Sequence, residues 1–399
     1  MTSPAALQPV EPVAADERPR APRRIAHVIT GLEVGGAESM LHKLLAASDR
    51  HAFDPLVISL GSDGPIGART AALGVRVRAL GMSRRFPSPA ATLRLAWWLR
   101  RERIELVQTW MYHADLVGGL AARLAGIPVV WGIRQSDLDP LMYSARTVWV
   151  QKVCARLSRV IPERIVSCSE AGRRMHEAIG YDASRMVHIP NGFELERFAP
   201  SEEHRRAVRA ELGLAPDTPL VGLVARFDPA KDHETFLRAA AIVVASLPQV
   251  HVVLAGLGVD DGNRELTGLC RDLNISASVH LLGRRADVER VTAALDVACS
   301  SSRTEGFANT VGEGMACGVP CVVTDCGDSA TIVGDAGVVV PPRDRTALAT
   351  GIISVLRRPT GERAALGAAA RSRVQCLFDI RAVARRYGEL HASVLDRDA

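Results

Sequence analysis

Two doubly wound α/β domains, each built on a parallel sheet, are what this sequence predicts, and three observations predict them. The chain has 399 residues, more than twice the ~100–150 usual for one domain. Short β-rich apolar runs alternate with helical stretches from residue 25 onward. Most of these runs are continuously apolar rather than alternating, as in strands covered on both faces. Thirteen of them are too many for one comfortable sheet, so two sheets are the economical arrangement.

Residues 1–22, rich in Ala, Pro and charge and without apolar periodicity, read as a disordered tail. Strands are expected at 25–30, 56–60, 75–80, 106–110, 129–133, 165–169 and 186–190, giving an N-terminal domain over 23–195. The Asn191-Gly192 turn signal and a polar stretch with Pro200, Pro216 and Pro219 give a linker over 196–218. Strands at 220–226, 251–256, 279–283, 297–301, 321–325 and 338–341 then build a C-terminal domain over 219–375. A last helix near 381–395, within the segment 376–399, carries an apolar stripe of Val383, Ala384, Tyr387 and Leu390, which suits packing back across the first domain.

Composition narrows the function classes. Hydrophobic residues make up 47% and charged residues 23% of the chain, values of a folded protein that exclude a largely disordered, collagen-like or coiled-coil chain. No run reaches the ~20 apolar residues of a membrane span. The N-terminus lacks a signal-peptide pattern, so a cytoplasmic chain is expected, with its eight cysteines reduced. Cys317, Cys321 and Cys326 read as buried thiols in a small-residue packing region rather than as metal ligands. Asp137-Leu138-Asp139 spells an Asp-x-Asp metal motif without the surroundings that motif needs.

The cations are unusual in kind and placement. Three lysines, Lys43, Lys152 and Lys231, stand against 46 arginines, which makes each lysine a somewhat better functional candidate. Residues 69–103 hold nine arginines and one acid, Glu102, suiting an anionic partner. Ser88 and Pro89 are good first residues for a helix over 89–103. Trp97 and Trp98 are adjacent on it, Arg94 and Arg101 lie near them, and Arg84 and Arg85 precede it. Indoles beside arginines fit an anionic membrane surface; an amphipathic core helix with a solvated basic face is the other reading. Without a recognition motif, nucleic acid is not an expected partner.

Three constellations follow strand ends, where ligands bind in open parallel sheets. Gly31-Leu32-Glu33-Val34-Gly35-Gly36-Ala37-Glu38 opens a helix, and its glycines let an anion approach the helix N-terminus; Glu38 reads as a first-turn carboxylate that suits the dipole. Arg226 and Lys231 leave the first strand of the second half, two cations suited to a diphosphate. Thr304-Glu305-Gly306-Phe307-Ala308-Asn309-Thr310-Val311-Gly312-Glu313 follows strand 297–301, with a helix beginning near Asn309. Backbone N–H groups of 308–311 suit a phosphate, and the two carboxylates suit vicinal diols. Together they describe a nucleotide-sugar site.

Glu305-x7-Glu313, the downstream Gly318-Val319-Pro320, the Arg226…Lys231 pair, Gly35-Gly36 and the segment Val187–Phe193 together resemble the family-4 retaining glycosyltransferases, over nearly the whole chain. The resemblance implies the GT-B architecture, two Rossmann-like domains facing across a cleft. It implies that Arg226 and Lys231 neutralise the donor diphosphate, that Glu313 holds the ribose hydroxyls, and that Glu305 meets the donor sugar beside the reacting centre. Gly35 and Gly36 would close on the phosphates, and His113 would contact the donor sugar. Gly306, Phe307, Ala308, Asn309 and Thr310 would complete the donor site, with Arg284 near the nucleobase. Ser169-Glu170-Ala171 could line the acceptor side. The implied activity is transfer of a sugar, with UDP ahead of GDP, to a glycan or lipid-linked acceptor, without metal or cofactor, in the cytoplasm or at the inner face of the plasma membrane. An epimerase of the same architecture and a non-catalytic carbohydrate- or membrane-binding relative are the alternatives.

Overall fold

The computed structural model describes residues 21–82, 88–136 and 144–397; residues 1–20 of the expected tail 1–22, Arg84 and Arg85, and Asp137 and Asp139 lie outside them. Seven strands form the first sheet: β1 (Arg23–Ile29), β2 (Phe53–Ser59), β3 (Arg76–Ala79), β4 (Leu106–Trp110), β5 (Val129–Ile133), β6 (Arg164–Ser167) and β7 (Met186–His188), in the order β3-β2-β1-β4-β5-β6-β7. Six form the second: β8 (Leu220–Val224), β9 (His251–Ala255), β10 (Val279–Leu281), β11 (Val297–Ser300), β12 (Cys321–Thr324) and β13 (Gly337–Val340), in the order β10-β9-β8-β11-β12-β13. Every pairing is parallel. Both sheets therefore reverse their winding at one point, between β1 and β4 and between β8 and β11. Ligand crevices open at such reversals.

The central strands are covered on both faces. Ala26, Val28, Leu56 and Val107 pack in one apolar layer of the first sheet, and Ile25, Ile29, Val57 and Leu106 in the other. The second layer also holds Ile380, Val383, Ala384 and Tyr387 of the C-terminal helix Ile380–Leu395. That helix thus closes a face of the first sheet although it follows the second. Strand β3 departs from the expected buried run: it is a partly exposed edge, where Arg76 and Arg78 pair with Glu102 at 2.6 and 2.8 Å.

The chain crosses between the halves twice, and the crossings are bonded to each other. Phe193 N–H donates to Phe378 O (2.8 Å) and Ile380 N–H to Phe193 O (3.1 Å). At Gly192 a Cβ would lie 2.6 Å from Ile380 Cα, so this close approach requires glycine. The stretch expected as linker is not all linker. Glu202–Glu211 is a helix, capped by Ser201 Oγ accepting from His204 N–H (3.1 Å), with acids in its first turn. Its Arg209 is fully buried and donates to Asp296 Oδ2 and to Ala294 O, both at 2.7 Å. The helix expected over 89–103 runs Pro89–Arg101, and Arg103 at φ 52° breaks it.

After β4, Met111 turns at φ 75° and ψ 156° into the helix Tyr112–Ala125, a conformation costly for a residue with a Cβ. Asp115 holds this turn from inside. Its Oδ1 accepts from Thr109 Oγ1 (2.6 Å) and Gly132 N–H (3.3 Å), while Oδ2 has no partner. Complete burial pushes its carboxyl up from 3.8 to about 8, against the pull of those two hydrogen bonds. A carboxyl protonated in the folded state and ionised in the unfolded one contributes stability below about pH 4, and that contribution is lost as pH rises to about 8. Asp115→Asn, which keeps both accepted bonds, should therefore gain melting temperature relative to wild type as pH rises from 5 to 8. Thermal unfolding at matched ionic strength measures this, and parallel curves for the two proteins would refute it.

Candidate functional site

The sequence-predicted loops converge where the two sheets reverse. The turn 34–38 after β1, Met111 after β4, residues 134–136 after β5, 225–231 after β8 and 304–310 after β11 line one cavity of about 490 Å³. Gly36 begins the helix Gly36–Ala47 on one side, and Asn309 begins the helix Asn309–Ala316 on the other. A Cβ at Gly36 would lie 3.4 Å from Asn309 Nδ2, and one at Gly306 only 2.7 Å from Arg134 O. These two glycines let the halves approach.

Three charged side chains gather on the second-half wall. Lys231 Nζ donates to Glu305 Oε1 at 2.5 Å, and Ser302 Oγ donates to the same oxygen at 2.7 Å. Arg226 Nε donates to Asp228 Oδ2 at 3.0 Å, yet its side chain stays 58% exposed at the cavity. Across from it lies Glu38, whose carboxyl is raised by burial and lowered by Arg226 among others. The first N–H groups of a helix lack intrahelical partners, and Asn309 and Thr310 both border the cavity. Val311 differs from expectation: its N–H is spent on Ala308 O (3.1 Å). Cations and free helix-end donors on one wall suit a bound anion, and Glu305 beside them suits a hydroxyl-bearing group.

Of the remaining expected residues, Phe307 still borders this cavity, while Ala308, Glu313, Arg284 and His113 lie around it rather than on its wall. Ala308 is buried, and the buried Phe307 ring stacks on Phe193 with centroids 6.1 Å apart and meets Phe378 edge to face at 5.6 Å. Glu313, one turn into its helix, faces the first half, 3.9 Å from Lys43 Nζ. Arg284 is exposed beyond β10 and does not line the cavity. His113 lines a second cavity of about 390 Å³ with Glu33, Ser62, Arg146 and Thr147 against an apolar wall of Leu60, Met82 and Val117. Glu38 borders both cavities. Burial, with Arg146 nearby, lowers the His113 pKa and favours neutral imidazole.

Several site residues carry no motif. Arg134 stacks 4.1 Å from the Trp110 ring centroid and donates to Asn191 Oδ1 (3.0 Å) and to Tyr387 Oη. Asn191 Nδ2 in turn donates to Asn309 Oδ1 (2.9 Å). Ser136 Oγ donates to the Glu305 carbonyl. Position just after a strand end was the one available signal for Arg134 and Ser136, since arginine is too common in this chain to mark a site. Ser169-Glu170-Ala171 does not border either cavity; Ser169 caps the helix Glu170–Ala178, and Asp328 of the second half accepts from the N–H groups of Glu170 (2.7 Å) and Ala171 (2.9 Å). Cys317, Cys321 and Cys326 are buried free thiols.

The helix Pro89–Arg101 divides the surface candidates. Trp97 is 54% and Leu93 61% exposed, with the Arg101 guanidinium 5.0 Å from the Trp97 ring. Trp98 instead packs on the core, under Arg78 and Arg94, and Arg94 donates to Leu80 O. Adjacent residues sit ~100° apart on a helix, so the two indoles cannot share a face. Among the described residues no helix is long and apolar enough to cross a membrane.

Comparison with known proteins adds to this geometry. Residues 34–197 match the family described as Glycosyltransferase Family 4, and residues 218–358 match Glycosyl transferases group 1. EpsF of Bacillus subtilis (strain 168) is 27% identical over 316 residues, 76% of this chain and 79% of that one. The D-inositol 3-phosphate glycosyltransferase of Mycobacterium tuberculosis (strain ATCC 25177 / H37Ra) is 32% identical over 69% of this chain, and the match spans 58% of that protein. Among solved structures, Anabaena HepE in complex with UDP superposes with a TM-score of 0.81 at 23% identity, over 93% of this chain and all of that one. Sucrose-phosphate synthase from Thermosynechococcus elongatus superposes with a TM-score of 0.77 at 20% identity, over 94% of this chain and all of that one. These structures share the fold.

Proposed function

The chain belongs to the family-4 glycosyltransferases and has their GT-B fold, and on that footing we propose that it moves a sugar from a nucleotide diphosphate donor to a hydroxyl with retention at the anomeric carbon. The observation that carries this reading is the joint presence of Arg226, Lys231, Glu305 and the Asn309 helix end around one cavity. A leaving diphosphate gains negative charge while the sugar becomes oxocarbenium-like, so fixed cations and helix-end donors stabilise the transition state more than the ground state. Lys231 bridges the two ends of that separation, bonded to Glu305 and facing the diphosphate position. Glu313 is assigned to the ribose and Glu305 to the donor sugar. No residue is proposed as covalent nucleophile; the leaving phosphate oxygen takes the acceptor proton on the same face. UDP is the preferred nucleotide, supported by the UDP and UDP-glucose complexes of HepE; a relative named as GDP-mannose-dependent keeps GDP donors as the alternative.

The second cavity suits the acceptor. It adjoins the donor cavity through Glu38, and its polar rim with an apolar wall fits a glycan or a lipid-linked sugar. Attachment to an anionic membrane surface is part of this proposal, carried by the exposed Leu93, Trp97 and Arg101.

The test is a panel of nucleotide sugars with thermal-shift, hydrolysis and product readouts on the purified protein. Lys231→Ala should lower kcat/KM by about 10²–10³-fold, Glu305→Ala should cut kcat more than affinity, and Glu313→Ala should chiefly raise KM. Wild-type turnover by Lys231→Ala would overturn the diphosphate assignment, and interconversion of the donor without acceptor would point to an epimerase. Activity should survive chelation, because Arg226 and Lys231 stand where a divalent cation would otherwise sit; complete loss restored by metal would redirect attention to Asp137 and Asp139. Wild type should sediment with anionic but not neutral vesicles in a salt-sensitive way, and the triple variant Leu93→Ser, Trp97→Ser, Arg101→Ser should not. Equal sedimentation of the two proteins would refute the membrane arm alone.

A further inference from the structure

Lys43 stands on the first-half helix Gly36–Ala47, two turns beyond the glycine pair. Its side chain is only 8% exposed, and a buried ammonium is costly unless a partner compensates it. The compensation comes from the other half: Lys43 Nζ lies 3.9 Å from Glu313 Oε1 and 5.5 Å from the centroid of the Phe193 ring. Among the described residues, no other carboxylate lies within 4 Å of it.

The pair belongs to the same helix contact that closes the donor cavity. Residues 36, 40 and 43 share one helix face, and residues 309 and 313 share another. Gly36 meets Asn309 at the cavity, and Lys43 meets Glu313 deeper along the same two helices. Arginine dominates this chain, yet a guanidinium brings five donors that a buried site must satisfy. An ammonium is a compact charge that can rest on an aromatic face.

Resting on the reading of Glu313 as the ribose-binding carboxylate, we propose that Lys43 is a positioning residue for the donor. Its ammonium holds the half-buried Glu313 carboxylate ionised and aimed for the ribose hydroxyls, and couples donor binding to the approach of the two halves. The surrounding charges oppose one another. Burial raises the Glu313 carboxyl, Lys43 and Arg197 lower it, and Glu194 and Glu289 raise it further. Cys317, just past the end of the same helix, lies within its field, and His42 feels Arg69, Glu194, Arg197 and Lys43. Without Lys43 the carboxyl takes up a proton at higher pH and no longer offers both oxygens as ionic acceptors to a diol.

UDP affinity measured calorimetrically from pH 5.5 to 8.5 tests this in wild type, Lys43→Met, Glu313→Gln and the double variant. Lys43→Met should shift the acid limb of binding upward by about one pH unit, weakening UDP by up to about tenfold on the acid side of that limb and less at pH 8.5, and raising donor KM more than it lowers kcat. In the double variant the Lys43 change should add little to Glu313→Gln. Lys43→Gln, which keeps a polar head without charge, should shift the limb the same way and substitutes for Lys43→Met if that variant does not fold. An unshifted limb, or the same loss on the Glu313→Gln background, would overturn the positioning role. Wild-type UDP binding by Glu313→Gln would instead overturn the ribose reading itself.

Discussion

Arg134 has its guanidinium 4.1 Å from the Trp110 ring centroid and 5.8 Å from that of Tyr387, and the cavity geometry depends on that stack. Trp110 ends β4, Tyr387 belongs to the C-terminal helix, and Arg134 itself follows β5. One planar cation therefore joins the first sheet to a helix that arrives from the end of the chain. Its hydrogen bond to Asn191, and that of Asn191 to Asn309, extend the chain of contacts to the helix end on the second half. A point charge could not do this; stacking and in-plane donation both need the flat guanidinium. The Gly306 loop then rests against the Arg134 carbonyl, where a Cβ would not fit.

The architecture was legible because parallel strands buried on both faces are built mostly from apolar residues. Ala26 and Val107, or Val221 and Val252, report that constraint directly in the sequence. The loops carrying Gly35, Arg226, Lys231 and Glu305 were legible for a second reason: they follow the strands at the winding reversal, where ligand groups collect. Arg134 and Asn191 were not legible as site residues, and the scarcity of lysine marked Lys43 as a candidate without showing its partner. Each acts through a partner more than 50 residues away in sequence, and nothing local marks such a pairing. The helix Glu202–Glu211 hid for another reason. Its buried face consists of Val208 and Arg209 alone, so its sequence has almost no apolar period to read. The fates of Trp97 and Trp98 were half legible, since the wheel separates them but does not say which turns inward.

Among the described residues, several polar contacts join the halves at separate points. Asp328 on the Glu170 and Ala171 amides, Asn191 on Asn309, Ser136 on the Glu305 carbonyl and Lys43 on Glu313 each join one half to the other. Interfaces of that kind permit relative motion more readily than apolar ones. The apolar continuity lies instead at the two crossings, where Phe193 and Phe378 pack edge to face with centroids 6.3 Å apart. Apolar and backbone contacts thus concentrate where the chain crosses, and polar ones at the cavity mouth.

The scarcity of lysine has a practical side. Lys152 is exposed on its helix, Lys43 is buried against Glu313, and Lys231 is bonded to Glu305. Two of the three side-chain amines in the protein therefore sit at the meeting of the halves, and the remaining one lies on open surface. Acylating or cross-linking reagents that seek amines would find a chain almost empty of competing targets. Peptide mapping of such a reaction would resolve into a few peaks, with Lys152 as internal standard and Lys231 and Lys43 as reporters of how tightly the two halves are drawn together.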